Sequence, residues 1–421
     1  MLELSFIREN AEVVEADLRK RGDEEKLKWV RELLEKDERW RVLKREADEL
    51  RSSRNQLTAK VKDAKGRGED ASKLIEEAKA IPGRIREKED EMAGLRERVD
   101  HYLMRLPNVL HESVPVGASD EDNVVVREWG EKREFGFDLK DHGRAAVDLG
   151  VADFERAVKI SGSGFYFLRG DLALLDVALQ RYAIDLLIDR GYTLVEPPLM
   201  MRRKPYEGVT DLADFENVMY KVEDDDLYLI ATSEHPLAAM HMDEVLDGLP
   251  LKYAGVSPCF RREIGKHGLD ERGLFRVHQF NKIEQFVFCR PEDSWDFHEQ
   301  LIANAEDLMQ GLKIPYHVVN VCTGDIGAVA AKKYDLEGWS PREGKHIELM
   351  SCSNCTSYQA ARLKIRHRAK DGNQLVHTLN STMVATSRAL RLILENYQEE
   401  DGSVAIPDVL RPYMNGRKRL T

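Results

Sequence analysis

The chain has 421 residues, 42% hydrophobic and 33% charged, enough for two or three domains with a large core and a long exposed helical part. A net charge of −12 argues against broad polyanion binding, so any nucleic-acid site has to be a local basic patch. No apolar run approaches the roughly 20 residues that span a bilayer, the first residues lack a secretory pattern, and five unevenly spaced cysteines suit a reducing, cytoplasmic setting.

Residues 1 to 110 are dense in Lys, Arg, Glu, Leu and Ala, with prolines only at Pro82 and Pro107. After a short opening helix, Gly22 and Asp23 mark a break and a new helix start. Leu33, Trp40, Leu43, Ala47, Leu50, Leu57 and Val61 then follow in steps of three and four, the seam of a coiled coil, interrupted by Lys36 and Arg54. Gly66, Arg67 and Gly68 read as a turn at a tip near residues 64–70. Leu74, Ala78, Ile81, Ile85, Met92, Leu95, Val99, Tyr102 and Leu106 carry a matching seam back, broken at Lys88. This predicts an antiparallel helical hairpin with arms of about 35–40 residues, roughly 55 Å long, ended by Pro107. Toward the tip, Arg51, Arg54, Lys60, Lys62, Lys65 and Arg67 stand against a single acid, Asp63. That excess reads either as a grip on the phosphates of a long partner or as a solvated helix face.

Residues 111–170 read as a linker and then short strands, with 161–171 a glycine turn feeding an aromatic strand. Leu175, Val177, Ala178, Tyr182, Ala183, Leu186 and Leu187 predict an amphipathic helix over 172–189. Gly191, Tyr192, Val195 and Pro198 mark the turn and strand that follow. Thr232-Ser233-Glu234, between a strand-like 227–231 and a helical 236–240, reads as a helix N-cap with a nearby acid.

The run from Phe260 to Glu284 predicts a β-hairpin around a long loop containing Gly265, Lys266, His267, Gly268, Asp270, Glu271, Arg272 and Gly273. On strands, Arg261 and Glu263 would share a face, as would Arg276, Phe280 and Glu284. Guanidinium, carboxylate and aromatic ring together suit a zwitterionic substrate beside a phosphorylated one. Taken alone, the same residues read as an exposed hairpin with cross-strand ion pairs. Cys352 and Cys355 form a CxxC without a second half to complete a tetrahedral metal set, and no zinc is expected. Leu379 to Arg388 reads as a strand of small polar residues feeding a helix that begins near Arg388.

The hairpin resembles motif 2 of the class II aminoacyl-tRNA synthetases: Phe-Arg-any-Glu, a loop, then Arg276, Phe280 and Glu284 four apart. The 191–200 stretch resembles motif 1, the dimer-forming helix and strand, and 379–396 resembles motif 3. There Met383 and Ser387 stand where glycines are common, a variation that archaeal and eukaryotic members tolerate. Thr232-Ser233-Glu234 and the Glu348 to Arg362 string, after which the chain is expected to enter a strand, resemble the seryl-tRNA synthetases.

That family implies an α+β fold, with a catalytic and dimerisation domain over 111–421, built on an antiparallel sheet flanked by helices, behind a coiled-coil tRNA-binding arm over 1–110. It implies a homodimer, without a membrane segment, that joins serine to tRNA(Ser), and to tRNA(Sec) where present, using ATP and Mg²⁺. Arg261 and Arg388 would be catalytic. Arg261, Arg262, Glu263, Phe275, Val277, Glu348, Leu349, Met350, Ser351 and Arg388 would bind ATP, with Glu348 and Ser351 on magnesium. Serine would meet Thr232, Ser233, Glu234, Arg261, Glu284, Asn380 and Thr382. Arg51, Arg54, Lys60, Lys62, Lys65 and Arg67 would meet the tRNA. Two other readings are a ligase that loads a carrier protein, whose members lack the long arm, and a non-catalytic coiled-coil scaffold.

Overall fold

A computed structural model describes residues 1–210, 217–263, 273–370 and 372–420. It divides into two compact units at Val109 and Leu110. The first unit is helical: α1 (Leu4–Glu9), α2 (Ala11–Lys20), α3 (Glu24–Gly66) and α4 (Ser72–Arg105). Asp23 starts α3 as a cap, its side chain accepting from Lys26 N–H at 3.0 Å. Gly68, at φ +73°, turns the chain at the tip, a conformation that suits a residue without Cβ.

Val30, Leu33, Leu43 and Ala47 of α3 are buried, as are Ile81, Ile85, Val99 and Tyr102 of α4. The expected polar interruptions are tied in place. Lys88 pairs with Glu46 across the two helices, and Lys36 lies 3.6 Å from Glu32 and over the Tyr102 ring. The seam thins toward the tip, where Leu57 and Val61 are half-buried and Arg54 is exposed.

The second unit is built on an eight-stranded sheet. Its strands are β1 (Val124–Trp129), β2 (Thr193–Val195), β3 (Leu251–Phe260), β4 (Gln279–Cys289), β5 (Tyr316–Asn320), β6 (Lys332–Ser340), β7 (Lys345–Asn354) and β8 (His377–Ala385). Their order is β1-β5-β6-β7-β8-β4-β3-β2. Every pair is antiparallel except β2 with β3, which is parallel. Helices Gly170–Asp189, Ser294–Gly311 and Thr386–Asn396 supply Leu175, Leu179, Leu301, Leu308, Leu390 and Ile393 to the main core, all fully buried. A smaller cluster around Leu237, Phe286, Phe288 and Ile365 forms a second core. Among the described residues, no helix is long and apolar enough to cross a membrane.

Three local expectations need correction. The 111–170 segment holds more than a linker and short strands. It supplies edge strand β1 and two helices, α5 (His142–Asp148) and α6 (Phe154–Ser161), each capped by the preceding Asp. Its aromatic run makes only the two-residue strand Phe167–Leu168; Phe165 instead stacks on His278, 5.0 Å between centroids. The Glu348–Arg362 string spans the end of β7 and the short helix Tyr358–Leu363, after which the chain enters the strand Arg366–Ala369, as expected.

The third correction concerns the hairpin. β3 ends at Phe260 and β4 begins at Gln279, so Arg261, Glu263 and Arg276 lie off the strands. Arg261 N–H still donates to His278 O at 3.0 Å, but Arg262 N–H donates to Val218 O at 2.8 Å, and Glu263 has φ +45°. The ladder is lost because the backbone turns to another partner. Residues 264–272 of the loop lie outside the described residues.

The arm's stability rests on few buried apolar side chains, and Leu43 is fully buried among them. Leu43→Ala is expected to cost about 2–4 kcal/mol. Differential scanning calorimetry of the whole chain should show the arm's transition lowered and that of the second unit unmoved.

Candidate active site

Two clefts open on the side of the sheet where β4, β7 and β8 lie side by side. The first is lined by Arg261, Arg276, Lys282 and Arg388, facing the carboxylates of Glu263 and Glu348. Phe275, Val277, Phe280, Leu349 and Thr382 supply the rest of its wall. The second is lined by Thr232, Glu234, His235 and Asn380, and shares Arg261, Glu263, Lys282 and Ser351 with the first.

The three arginines of the first cleft are steered without being neutralised, whereas Lys282 is already paired with Glu284. Arg261 donates from Nε to Ala231 O at 3.3 Å and lies 5.3 Å over the Phe280 ring. Arg276 is 3.7 Å from Glu263. Arg388, third in its helix, donates to Glu348 O at 2.9 Å, is 3.4 Å from the Glu348 carboxylate, and faces the Phe275 ring at 5.4 Å. Burial pushes the Glu348 carboxyl up; Arg388, Lys333 and Arg261 more than offset it and hold it below the ordinary carboxylate range. With Lys282 paired to Glu284, three arginines against two carboxylates leave an excess that suits a polyphosphate.

The second cleft is organised by buried carboxylates. Lys282 Nζ lies 2.5 Å from Glu284 and donates to Thr232 Oγ1 at 3.1 Å. Glu284 is fully buried on β4, opposite Thr382 of β8. Asn380 Nδ2 bridges, donating to Glu234 at 3.1 Å and to Glu284 at 3.3 Å, while Gln359 donates to Glu234 at 3.0 Å. Burial, reinforced by the charge of Glu284, pushes the Glu234 carboxyl up to about 7, although Lys282 opposes this. A cationic amine arriving here meets two acceptors already in position.

Several expected site residues are placed otherwise. Ser233 is fully buried and donates to Gly255 O at 3.4 Å, so its side chain faces β3 rather than the cleft. The cap-like contact comes from Thr232, whose Oγ1 accepts from Glu234 N–H at 3.3 Å. Arg262 is exposed and lines neither cleft. Met350 is packed in the main core, because a bulge in the β6–β7 pairing leaves Glu348, Leu349 and Ser351 on the cleft side.

Lys282 escaped the sequence reading, although its position two residues before Glu284 on a strand puts both on one face. Asp335 escaped it too. It lies opposite Ser351 in the β6–β7 register, 2.9 Å from Lys333, and burial pushes it up to about 7 against that lysine.

Glu348 and Ser351 offer a carboxylate and a hydroxyl beside a phosphate-sized cleft. That donor set fits magnesium, which takes oxygen ligands and keeps waters and phosphate oxygens in its shell. The cysteines are occupied differently: Cys352 Sγ donates to His298 O at 3.6 Å and Cys355 Sγ to Asn380 Oδ1 at 3.9 Å. Burial pushes both thiols up, away from the thiolate form that metals bind.

Residues 220–397 match the family model of the class II tRNA synthetase core domain (G, H, P, S and T), and residues 1–110 that of the seryl-tRNA synthetase N-terminal domain. The chain is 61% identical to a serine–tRNA ligase of Methanocella arvoryzae, over 100% of each chain. It matches the crystal structure of seryl-tRNA synthetase from Pyrococcus horikoshii complexed with ATP at a TM-score of 0.96 and 50% identity, over 100% of this chain and 99% of that one. A cytoplasmic serine–tRNA ligase from Naegleria fowleri in complex with AMP matches at 0.91 and 35%, with the same coverage.

The raised Glu234 carboxyl implies strain in the folded state. Below its unfolded value of about 4.5 the group is protonated in both states; between about 4.5 and 7 the unfolded chain ionises while the folded one resists, so stability falls as pH rises. Glu234→Gln is expected to leave the melting temperature unchanged near pH 4 and to raise it by a few degrees at pH 8. Thermal melts of both proteins across that range check this.

Proposed function

The chain belongs to the seryl-tRNA synthetases of class II, and on that footing we propose how its residues divide the work of serine–tRNA ligation. The enzyme activates serine with ATP and passes it to tRNA. A serine carboxylate oxygen bonds to the α-phosphorus as the bond to the β-phosphate oxygen breaks, and pyrophosphate leaves with that electron pair. The ribose hydroxyl of the terminal tRNA adenosine then attacks the activated carbonyl, and AMP leaves. No protein nucleophile is needed, so the protein contributes positioning and electrostatic stabilisation.

One observation carries the assignment of sites: the cationic cleft and the carboxylate cleft meet at Arg261, Lys282 and Ser351. In our reading the first takes ATP and the second serine, so the reacting carboxylate and α-phosphate share Arg261 and Lys282. Arg388 holds the γ-phosphate. Glu263 receives the adenine, which Phe275 stacks against while Val277 and Leu349 close the wall. Glu348 and Ser351 hold magnesium, which supplies charge neutralisation for the phosphates when bound. Glu234 takes the serine ammonium, and Glu284 and Thr382 read the hydroxyl, supported by Thr232 and Asn380. A site that hydrogen-bonds a hydroxyl rejects the analogue lacking it by about 10⁴–10⁵, so alanine is excluded without editing.

The homodimer belongs to the same proposal. Val177 and Ile188 on the Gly170–Asp189 helix and Leu194, Leu199 and Met200 beyond it leave apolar side chains exposed, a patch suited to burial against a second copy. The five cysteines form no disulfide, which is compatible with a cytoplasmic setting.

Residues 1–110 are proposed as the tRNA grip and 111–421 as the catalytic part. Helix geometry refines the grip: at about 100° per residue, Arg51, Arg54, Lys62 and Lys65 fall on one side of α3, and Lys60 and Arg67 on the other. Arg51 is committed to Asp48 and Glu89, and Arg67 to Asp63. Arg54, Lys62 and Lys65 are exposed and best suited to phosphates.

Three experiments test this division. Arg388→Ala is expected to keep the fold and to lower serine-dependent pyrophosphate exchange by about a hundredfold, on the scale of losing a preorganised charge donor. Glu284→Ala should raise KM for serine far more than KM for ATP; the reverse pattern would overturn the assignment of the two clefts. Arg54→Ala, Lys62→Ala and Lys65→Ala together should leave exchange unchanged, weaken serine tRNA binding, and reduce the slope of log Kd against log salt by up to about three. An unchanged slope in a salt titration would remove the arm from the tRNA site.

A further inference from the structure

The proposed adenine-stacking ring, Phe275, stands just where the described chain resumes after the motif 2 loop, and it is held from outside that motif. Leu274 is fully buried, and its backbone N–H donates to His142 Nε2 at 3.0 Å. His142 comes from α5, more than a hundred residues upstream, and is itself buried. Its other ring nitrogen, Nδ1, faces Glu395 at 3.5 Å. Glu395 is fully buried in the motif 3 helix and accepts from Ser340 Oγ and, at 2.9 Å, from Arg391 Nε. Burial pushes the Glu395 carboxyl up, but His142, Arg391 and Ser340 outweigh it and hold it below the ordinary range, so it remains an acceptor. A proton on Nδ1, turned to that carboxylate, leaves Nε2 bare for the Leu274 N–H.

The same carboxylate fixes a second contact. Arg391 is buried, pairs also with Glu343, and lays its guanidinium 4.4 Å from the Phe275 ring centre. The ring therefore has Arg391 and Arg388 as cationic neighbours, while its backbone is tied through Leu274 to His142. The approach is close. A Cβ on Gly273, which sits at φ +106°, would lie 2.2 Å from His142 Nε2, so this position requires glycine twice over.

We infer that His142 is a positioning residue for ATP, acting with Glu395 and Arg391 to fix the backbone and ring of Phe275. It touches no reacting atom. Its effect passes through Leu274 and Phe275, so it should govern the nucleotide and leave serine alone. This rests on the reading of Phe275 as the adenine contact, and the experiment separates the two.

Serine-dependent pyrophosphate exchange by the whole enzyme is measured against ATP and against serine. His142→Ala leaves the buried Leu274 N–H without its acceptor and should raise KM for ATP by about tenfold, with KM for serine unchanged. His142→Gln, whose side-chain oxygen can accept the same N–H, should restore most of the affinity. Should His142→Ala fold poorly by thermal melt, Arg391→Lys gives the second test. It keeps a cation beside Glu395 but removes the flat guanidinium beside Phe275, and should raise KM for ATP selectively. In a Phe275→Leu background, the further effect of His142→Ala should vanish. An unchanged KM for ATP, an equal rise in both KM values, or a His142 effect undiminished in Phe275→Leu would each overturn the inference. If Phe275→Leu by itself leaves KM for ATP unaltered, the adenine assignment falls first, and the inference with it.

Discussion

A single buried ammonium holds the second, carboxylate-lined cleft together. Lys282 lies 2.5 Å from Glu284 and within hydrogen-bond reach of Thr232, with Glu234 close by in the same pocket. Two carboxylates that share the Asn380 amide in a buried pocket repel each other, which adds to the burial that pushes Glu234 up to about 7. Lys282 is the cation that lets Glu284 exist there at all; without it a charge would be stranded in the interior, at a cost of several kcal/mol. β4 carries both residues and is flanked by β8 and β3, so the pair cannot drift along the sheet to relieve itself.

The cationic cleft follows the opposite rule. Its arginines are directed by backbone carbonyls and by carboxylates at 3.4–3.7 Å, contacts too long to use up their hydrogen-bonding capacity. Arg261 uses Nε on Ala231 O, leaving the fork of the guanidinium toward the cleft. Such groups are held before any anion arrives, so little reorganisation would accompany the development of charge. The acid-rich chain as a whole has a net charge of −12, yet this cleft and one side of α3 concentrate cations. Local placement, not bulk charge, sets where anions can settle.

Around the cleft, the supporting contacts come from distant parts of the second unit. α5 reaches Leu274, the Thr386–Asn396 helix supplies Arg388, Arg391 and Glu395, and β6 supplies Ser340. The Tyr358–Leu363 helix sends Gln359 to Glu234. The contacts are thus short-range in space and long-range in sequence, and they tie down groups in or just behind the cleft wall.

Much of this was legible in the residues alone. The arm's seam follows from the 3.5-residue repeat, and Asp23 and Gly68 from the chemistry of caps and left-handed turns, because helices are governed by neighbours three and four apart. Arg261, Glu284, Asn380, Thr382 and Arg388 were singled out by the resemblance of their motifs to the synthetases, and the structure sets them in or beside the two clefts. The side-chain directions of Ser233 and Met350 were not, since a cap that shifts to Thr232 and a bulge in β7 each reverse a face without altering the motif. Nor were the helices of 111–170, short elements whose faces are buried only by partners elsewhere in the chain. Lys282 could have been found by strand periodicity, whereas His142 could not. The sequence determined which chemical groups were available and their local period. Tertiary structure alone brought His142 to Leu274 and Lys282 between its acceptors, because hydrogen bonds and ion pairs depend on distance in space, which the order of residues does not encode locally.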